Sequence, residues 1–224
     1  MRQVPGVQEA QGRNQMRVMA SNHSSKWYMD LCRRYPDNLG WLIGPRFWKA
    51  PRENVAFAMD NDAYQSFSNG TPYDFDAWHR FLDKVDKTGR NPLWALVPDV
   101  VGNRELTLEQ WPKYSPEVKQ RGWLTALAVQ DGMSIEDAKQ CNADVIFVGG
   151  TTGWKWNTAH VWCGNFTRVH VGRVRTRRLP HCRQIGAESC DGTGWFRESV
   201  RGLPAQQLEA WLSDPRPHPE LELR

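Results

Sequence analysis

Polar residues stand just past a series of short apolar runs. Asp60 ends "NVAFAMD", Asp99 ends "PLWALVPD" and Gln130 ends "LTALAVQ". The pair Gly149–Gly150 ends "DVIFVGG", and "QIGAES" runs on into Asp191. Two carboxylates facing one glycosidic carbon can act as nucleophile and acid/base. Three carboxylates can also hold a divalent cation. A carboxylate, an amide and glycine N–H groups suit the edge of a planar heterocycle, and the Tyr64 ring suits its face. No histidine is placed for a triad and no serine sits in a GxSxG elbow, so that class of acyl transfer is set aside. One Asp after a strand is commonly a helix cap. A set of them repeated along the chain argues for a shared site.

The elements that must position these residues follow from the same runs. Strands are expected at Arg17–Ser21, Gly40–Gly44, Asn54–Asp60, Pro92–Asp99, Leu124–Gln130, Asp144–Gly150, Arg168–Gly172 and Gln184–Ser189. They are near-continuously apolar, as strands covered on both faces are. "HSSKWYMDLCRRY" has helical spacing through Trp27, Leu31 and Arg34. "DFDAWHRFLDKVDKTG" is expected to be a helix capped by Asp74 or Asp76 and ended by Gly89, with Trp78, Phe81, Leu82 and Val85 as its apolar stripe. "SIEDAKQCN" carries a capping box, Ser134 with Asp137, and "PAQQLEAWLS" is a closing helix. Strand–helix alternation points to an α/β fold, a compact (β/α)8 TIM-like barrel, whose C-terminal strand ends carry the active site. A doubly wound sheet is the rival, and it lacks its glycine fingerprint here. The expected organisation is a flexible lead-in over 1–15, one barrel domain over 16–213 and a proline-broken tail over 214–224.

Composition narrows the classes. The chain has 224 residues, 40% hydrophobic and 24% charged, which suits a globular protein. No apolar run is long enough for a membrane span, and the N-terminus lacks a secretory h-region. The five cysteines include no CxxC pair, so a disulfide framework and a zinc ribbon are not expected and a cytoplasmic home is. Cys190 is expected to be a buried thiol. The net charge of +4 leans toward polyanions. Arg173, Arg175, Arg177, Arg178 and Arg183 crowd "GRVRTRRLPHCR", either as a solvated helix face or as a phosphate-binding rim. Twelve tryptophans are many for this length; Trp111, Trp123, Trp154, Trp156 and Trp195 are expected mostly to cover the core, with stacking on bases as the alternative.

Four segments, in order, resemble the tRNA-guanine transglycosylases. "MDNDAYQSF" is similar to their "DSGGYQ" or "DSGGFQ", "LAVQDG" to "VQGG", "FVGGTTGWK" to "GGLAVGE", and "ESCDGTGW" stands in the place of "DCVMPT". The likeness spans roughly Val55 to Trp195. The departures are "DNDA" for "DSGG", with Asp62 an additional acid, Asp131–Gly132 for a glycine pair, and no cysteine after Asp191 for the family's zinc site. A shortened chain without that zinc resembles the DpdA-type DNA-guanine transglycosylases of bacterial DNA-modification clusters and phages more closely.

That resemblance implies exchange of guanine in DNA for a 7-deazaguanine, a preQ0-like base. It implies Asp191 as nucleophile at C1′ and Asp60 as general base at N9 of the incoming base. Asp99, Gln130 and the Gly149 and Gly150 amides would contact the base edge, Tyr64 its face, and Gln65 would fix the turn. Arg173, Arg175, Arg177 and Arg178 would contact phosphates. The DNA would be single-stranded or offer a flipped guanine, and Trp154, Trp156 or Trp195 would hold the gap. No cofactor, metal or membrane is implied. The alternatives are a tRNA enzyme without its zinc region, a non-catalytic nucleic-acid-binding barrel subunit, and an unrelated carboxylate-metal hydrolase.

Overall fold

The structure is a computed structural model that describes residues 16–21, 23–192 and 203–213. The expected lead-in, the tail and Trp195 lie outside these residues. The elements run β1 (Arg17–Ser21), α1 (Lys26–Arg34), β2 (Leu39–Ile43), β3 (Phe57–Met59), α2 (Ala63–Ser68), α3 (Phe75–Asp86), β4 (Ala95–Leu96), α4 (Arg104–Gln120), β5 (Thr125–Val129), α5 (Ile135–Cys141), β6 (Val145–Val148), α6 (Thr152–Asn165), β7 (Val169–Val171), a 3-10 turn (Thr176–Arg178), α7 (Leu179–Gln184), β8 (Ser189–Gly192) and α8 (Leu203–Ser213). The strands form a closed parallel barrel in sequence order, the α/β TIM-like barrel expected from the alternation. β1 pairs with β8 to close it, with Met19 opposite Asp191.

Strand pleating sorts the side chains into two cores. Met19, Leu42, Trp94, Leu96 and Phe147 fill the barrel interior, where Ala58, Ala126 and Ala128 leave room for the two large rings. Val18, Ile43, Met59, Val148 and Cys190 face outward into the layer shared with the helices. Cys190 is therefore a buried structural thiol, as expected, and burial raises it well above the usual thiol range.

The helices form where local signals agree. Asp74 caps α3 by accepting from the Ala77 N–H, and Trp78, Phe81, Leu82 and Val85 are all buried. Each such burial contributes roughly 1.5–3 kcal/mol. The capping box of α5, Ser134 with Asp137, is complete. In α1 the buried residues are Tyr28, Met29, Leu31 and Cys32, whereas Arg34 is exposed. The Tyr28 hydroxyl donates to the Gly40 carbonyl, tying α1 to β2 and shifting the stripe from the expected Trp27–Arg34 line.

Two differences from the sequence expectation matter for the site. The eighth strand is Ser189–Gly192, not Gln184–Ser189. Pro180 in the first turn and Gly186 at φ +85° bracket a short helix, α7, and delay the strand. Asp191 is therefore inside the strand rather than beyond it. Four further helices, α2, α4, α6 and α7, had no sequence assignment. α4 tolerates Pro112 and Pro116 in its interior because Trp111 is buried and donates from Nε1 to the Cys141 carbonyl.

Candidate active site

Asp191 is buried at the C-terminal end of the barrel, on the inward face of β8. Its Oδ1 accepts from the Arg173 backbone N–H at 3.0 Å and pairs with His170 Nε2 at 3.1 Å. Its Oδ2 accepts from the Ser21 hydroxyl at 2.9 Å. Burial alone would push this carboxyl up. The hydrogen bond and charge of His170, the Arg173 N–H and Ser21 outweigh it and hold Asp191 below the usual carboxylate value.

His170 was not anticipated as a partner. It lies on the inward face of β7, whose register puts it opposite Ser189, and it is fully buried. The ring stacks on Phe147 at 4.8 Å and meets Trp94 edge-on at 4.9 Å. An ionised Asp191 only accepts, which places the proton on Nε2. Nδ1 contacts the Ser189 hydroxyl at 2.8 Å, which can donate or accept.

The loop after β7 is organised around the same carboxylate. Lys155 on α6 is buried, and its Nζ donates to the Gly172 carbonyl at 2.5 Å. Burial, then the Arg173 charge, lowers this amine to about 8. With the loop carbonyls turned to Lys155, the N–H groups turn to β8: Arg173 donates to the Asp191 side chain and Val174 to its backbone carbonyl at 2.6 Å. Arg173 takes a left-handed φ of +55° to do so. Its guanidinium stacks on the Tyr64 ring at 3.9 Å and donates to the Gly150 carbonyl.

Across the cavity stand the other acids. Asp60 follows β3, and its Oδ1 accepts from the N–H groups of Asn61 and Asp62. Burial raises this carboxyl well above its usual value, and the charges of Asp62 and Asp191 raise it further. Asn61 turns the chain here: its Oδ1 accepts from the Ala63 N–H, and its Nδ2 donates to the Val97 carbonyl and Asp99 Oδ1. Burial pushes Asp99 up to about 6, against the Asn61 amide and the Arg173 charge. Asp62 adopts φ +59°, a left-handed conformation at a position where the similar family segment has glycine. Its carboxylate accepts from the Arg46 N–H at 2.8 Å. Burial raises Asp62 as well, against that same bond.

The amides expected to face a base are largely committed within the protein. Gln130 Oε1 accepts from the N–H groups of Gly102 and Gly150, and its Nε2 donates to Asp99 Oδ2 at 2.7 Å. The Gly149 N–H donates to the Val129 carbonyl. Neither glycine amide is left for a ligand, which corrects that expectation. Gly150 is instead required by its φ of +67°, and a Cβ there would sit 2.5 Å from Asp131. Remaining acceptor capacity on Asp99 and one Gln130 N–H are left for a base edge. Gln65 is exposed and bonds to Asn69, so the turn is fixed by Asn61 and not by Gln65 as expected.

These groups share one cavity of about 930 Å³, lined by Asp60, Asp99, Gln130, Gly149, Gly150 and Asp191, with Tyr64 at its edge. Arg173, Arg175, Arg177 and Arg178 line it too, so these four of the stretch form a rim and not a remote helix face, whereas Arg183 lies over the Trp211 ring. Trp156 carries Arg178 over its ring at 4.8 Å. Trp111 and Trp123 are buried in the core, and Trp154 packs against it. Among the described residues, no group of three or more His, Cys, Asp and Glu side chains is arranged to hold a metal ion, and no helix is long and apolar enough to cross a membrane.

His170, Lys155, Ser21 and Asn61 are the site residues that sequence reasoning missed. The one signal available was a polar residue inside an apolar run, as in "RVHVG" for His170. No protein-family model matches the chain, and no curated protein matches its sequence. A solved structure titled "Native KDPGal structure" is similar over 90% of this chain and 82% of that chain, at 11% identity and a TM-score of 0.41.

Proposed function

We propose that the protein is a guanine transglycosylase acting on DNA, exchanging guanine for a 7-deazaguanine base such as preQ0. The observation that carries this reading is the opposed state of two acids in one cavity. Asp191 is held ionised, and Asp60 is held toward its acid form. Environments that push two carboxyls apart assign nucleophile and acid.

The steps balance with no outside proton. The Asp191 carboxylate attacks C1′ while the C1′–N9 bond breaks and its electron pair passes to guanine. Asp60 delivers its proton to the departing base and becomes a carboxylate. The Asp191–C1′ ester remains. The incoming 7-deazaguanine gives its N9 proton to Asp60 and bonds to C1′, releasing Asp191 as a carboxylate. Asp60 thus acts first as acid and then as the base that the family resemblance implied. Asp99 accepts from the N–H groups of the base edge, and Gln130 supplies its remaining N–H. Arg175, Arg177 and Arg178 contact phosphates flanking the extruded nucleotide.

The test is release of label from guanine-labelled DNA, with and without preQ0, and from labelled tRNA in parallel. Release from DNA that depends on the wild-type protein supports the reading. Release from tRNA alone overturns DNA as substrate. Activity that survives Asp191→Asn, with deamidation excluded by mass spectrometry, overturns the nucleophile.

A further inference from the structure

Among the described residues, exposed aromatic side chains are confined to one place. Among the described residues, the large hydrophobics in the exposed class are Phe47 at 60%, Tyr64 at 46%, Phe67 at 62%, and three aliphatic side chains. Leu106, Leu124 and Val161 are scattered on α4, before β5 and on α6, at 44%, 38% and 39%. Such single aliphatics are ordinary. Phe47 and Tyr64 both line the cavity, and the Phe67 ring lies 6.4 Å from that of Tyr64. A phenylalanine left in water forgoes the free energy of burial, so a cluster of them marks a contact surface.

The segment bearing Phe47, "RFWK", alternates its directions. Trp48 turns inward and meets Phe81 edge-on at 5.7 Å. Phe47 turns outward between the exposed Arg46 and Lys49. The segment is also fastened. The Arg46 N–H is held by Asp62, and Lys49 Nζ donates to the Ser24 hydroxyl at 2.8 Å. Gly44 lets it pass close, since a Cβ there would lie 2.6 Å from the Asp62 carboxylate. Asp62, whose role the sequence left open, thereby sets the position of the Phe47 loop relative to Tyr64.

We propose that the Arg46–Lys49 loop and α2 form a stacking platform for unpaired nucleobases beside the reacting nucleotide, so that the substrate is a single-stranded segment. The inference rests on the nucleic-acid reading of the cavity. Flat apolar faces set between cations match bases set between phosphates, and every base has such a face. In a duplex those faces are covered by neighbouring bases, so intact double strand gains nothing from Phe47 or Phe67. The platform stands on the β2 and β3 side of the mouth. Arg175, Arg177 and Arg178 of the β7–α7 loop line the other side, while Arg173 reaches across to the Tyr64 ring, so a strand passing over Asp191 touches both.

The test is fluorescence anisotropy with a labelled single-stranded oligodeoxynucleotide, its duplex, and an abasic strand of equal length. Wild type is expected to bind the single strand more tightly than either control. Phe47→Ala and Phe67→Ala are each expected to weaken single-strand binding by about 5- to 150-fold, with Phe47→Trp restoring it and the thermal midpoint unchanged. Equal binding of abasic and normal strands, or unchanged binding by both Ala variants, overturns the platform. Stacking-dependent binding without base exchange overturns the transglycosylase reading and leaves the platform standing. Exchange that proceeds while both Ala variants bind normally overturns the platform alone.

Discussion

The two sides of the barrel mouth hold the same side chain in opposite conditions. On the β7–β8 side, Asp191 receives three hydrogen bonds, from His170, Ser21 and the Arg173 backbone. On the β3–β4 side, Asp60 is surrounded by other acids and takes its hydrogen bonds from neighbouring backbone. Donors favour the charged form; burial and like charge disfavour it. Chemistry that needs an anion and an acid in one cavity is thus built from a single residue type by changing its neighbours.

The contrast predicts opposite effects on stability with pH. The folded-state value of Asp191 lies below the unfolded value of about 3.9. Its stabilisation is present above that value and is lost as pH falls through the lower folded one. Asp60 and Asp99 have raised values, so they favour the fold at low pH. Their contribution fades as pH rises from about 3.9, for Asp99 up to about 6.

Substitutions can break this contrast. The largest effect is expected from Asp191→Asn, which should lower the exchange rate by about 10⁴-fold or more and abolish the covalent nucleic-acid adduct seen on denaturing gels. Asp60→Asn should lower it by about 10²- to 10⁴-fold, yet raise the thermal midpoint at pH 8 by removing a carboxyl whose ionisation the fold resists. A fall in that midpoint would place Asp60 with Asp191 and end the comparison.

Smaller effects sharpen it. His170→Phe keeps a ring between Phe147 and Trp94 but removes the donor. The acid limb of the pH–rate profile should move up as Asp191 becomes harder to ionise, and His170→Gln should restore part of the shift; an unmoved limb would make the histidine structural only. Asn61→Ala should cost about 1–3 kcal/mol in denaturant unfolding and raise Asp99 above about 6, followed by carboxyl NMR. Arg177→Ala should weaken binding of all DNA sequences alike and lower the salt dependence by about one counterion.

The barrel was legible because its signals are local. Apolar runs of strand length, the α3 stripe and the α5 capping box each lie within one element. α4 was not legible, because Pro112 and Pro116 break the local pattern and tertiary burial of Trp111 overrides it. The acids of the site were legible as residues at strand ends. Their states were not: Asp191 and Asp60 look alike in the sequence. The expected glycine amides failed for a related reason. Their partners, Val129 and the Gln130 side chain, are brought to them by the pairing of β5 with β6.

The sequence by itself determined the barrel alternation, the burial of Cys190 and the set of polar residues at the strand ends, because period and propensity act over a few neighbours. The tertiary structure decided what those residues are. Barrel closure puts Ser21 on Asp191 from 170 positions away, and the pairing of β7 with β8 puts His170 there from 21. The β2–β3 loop brings the Arg46 N–H to Asp62 from 16. Charge state depends on burial and on donors that arrive through space, and neither is written in the order of adjacent residues.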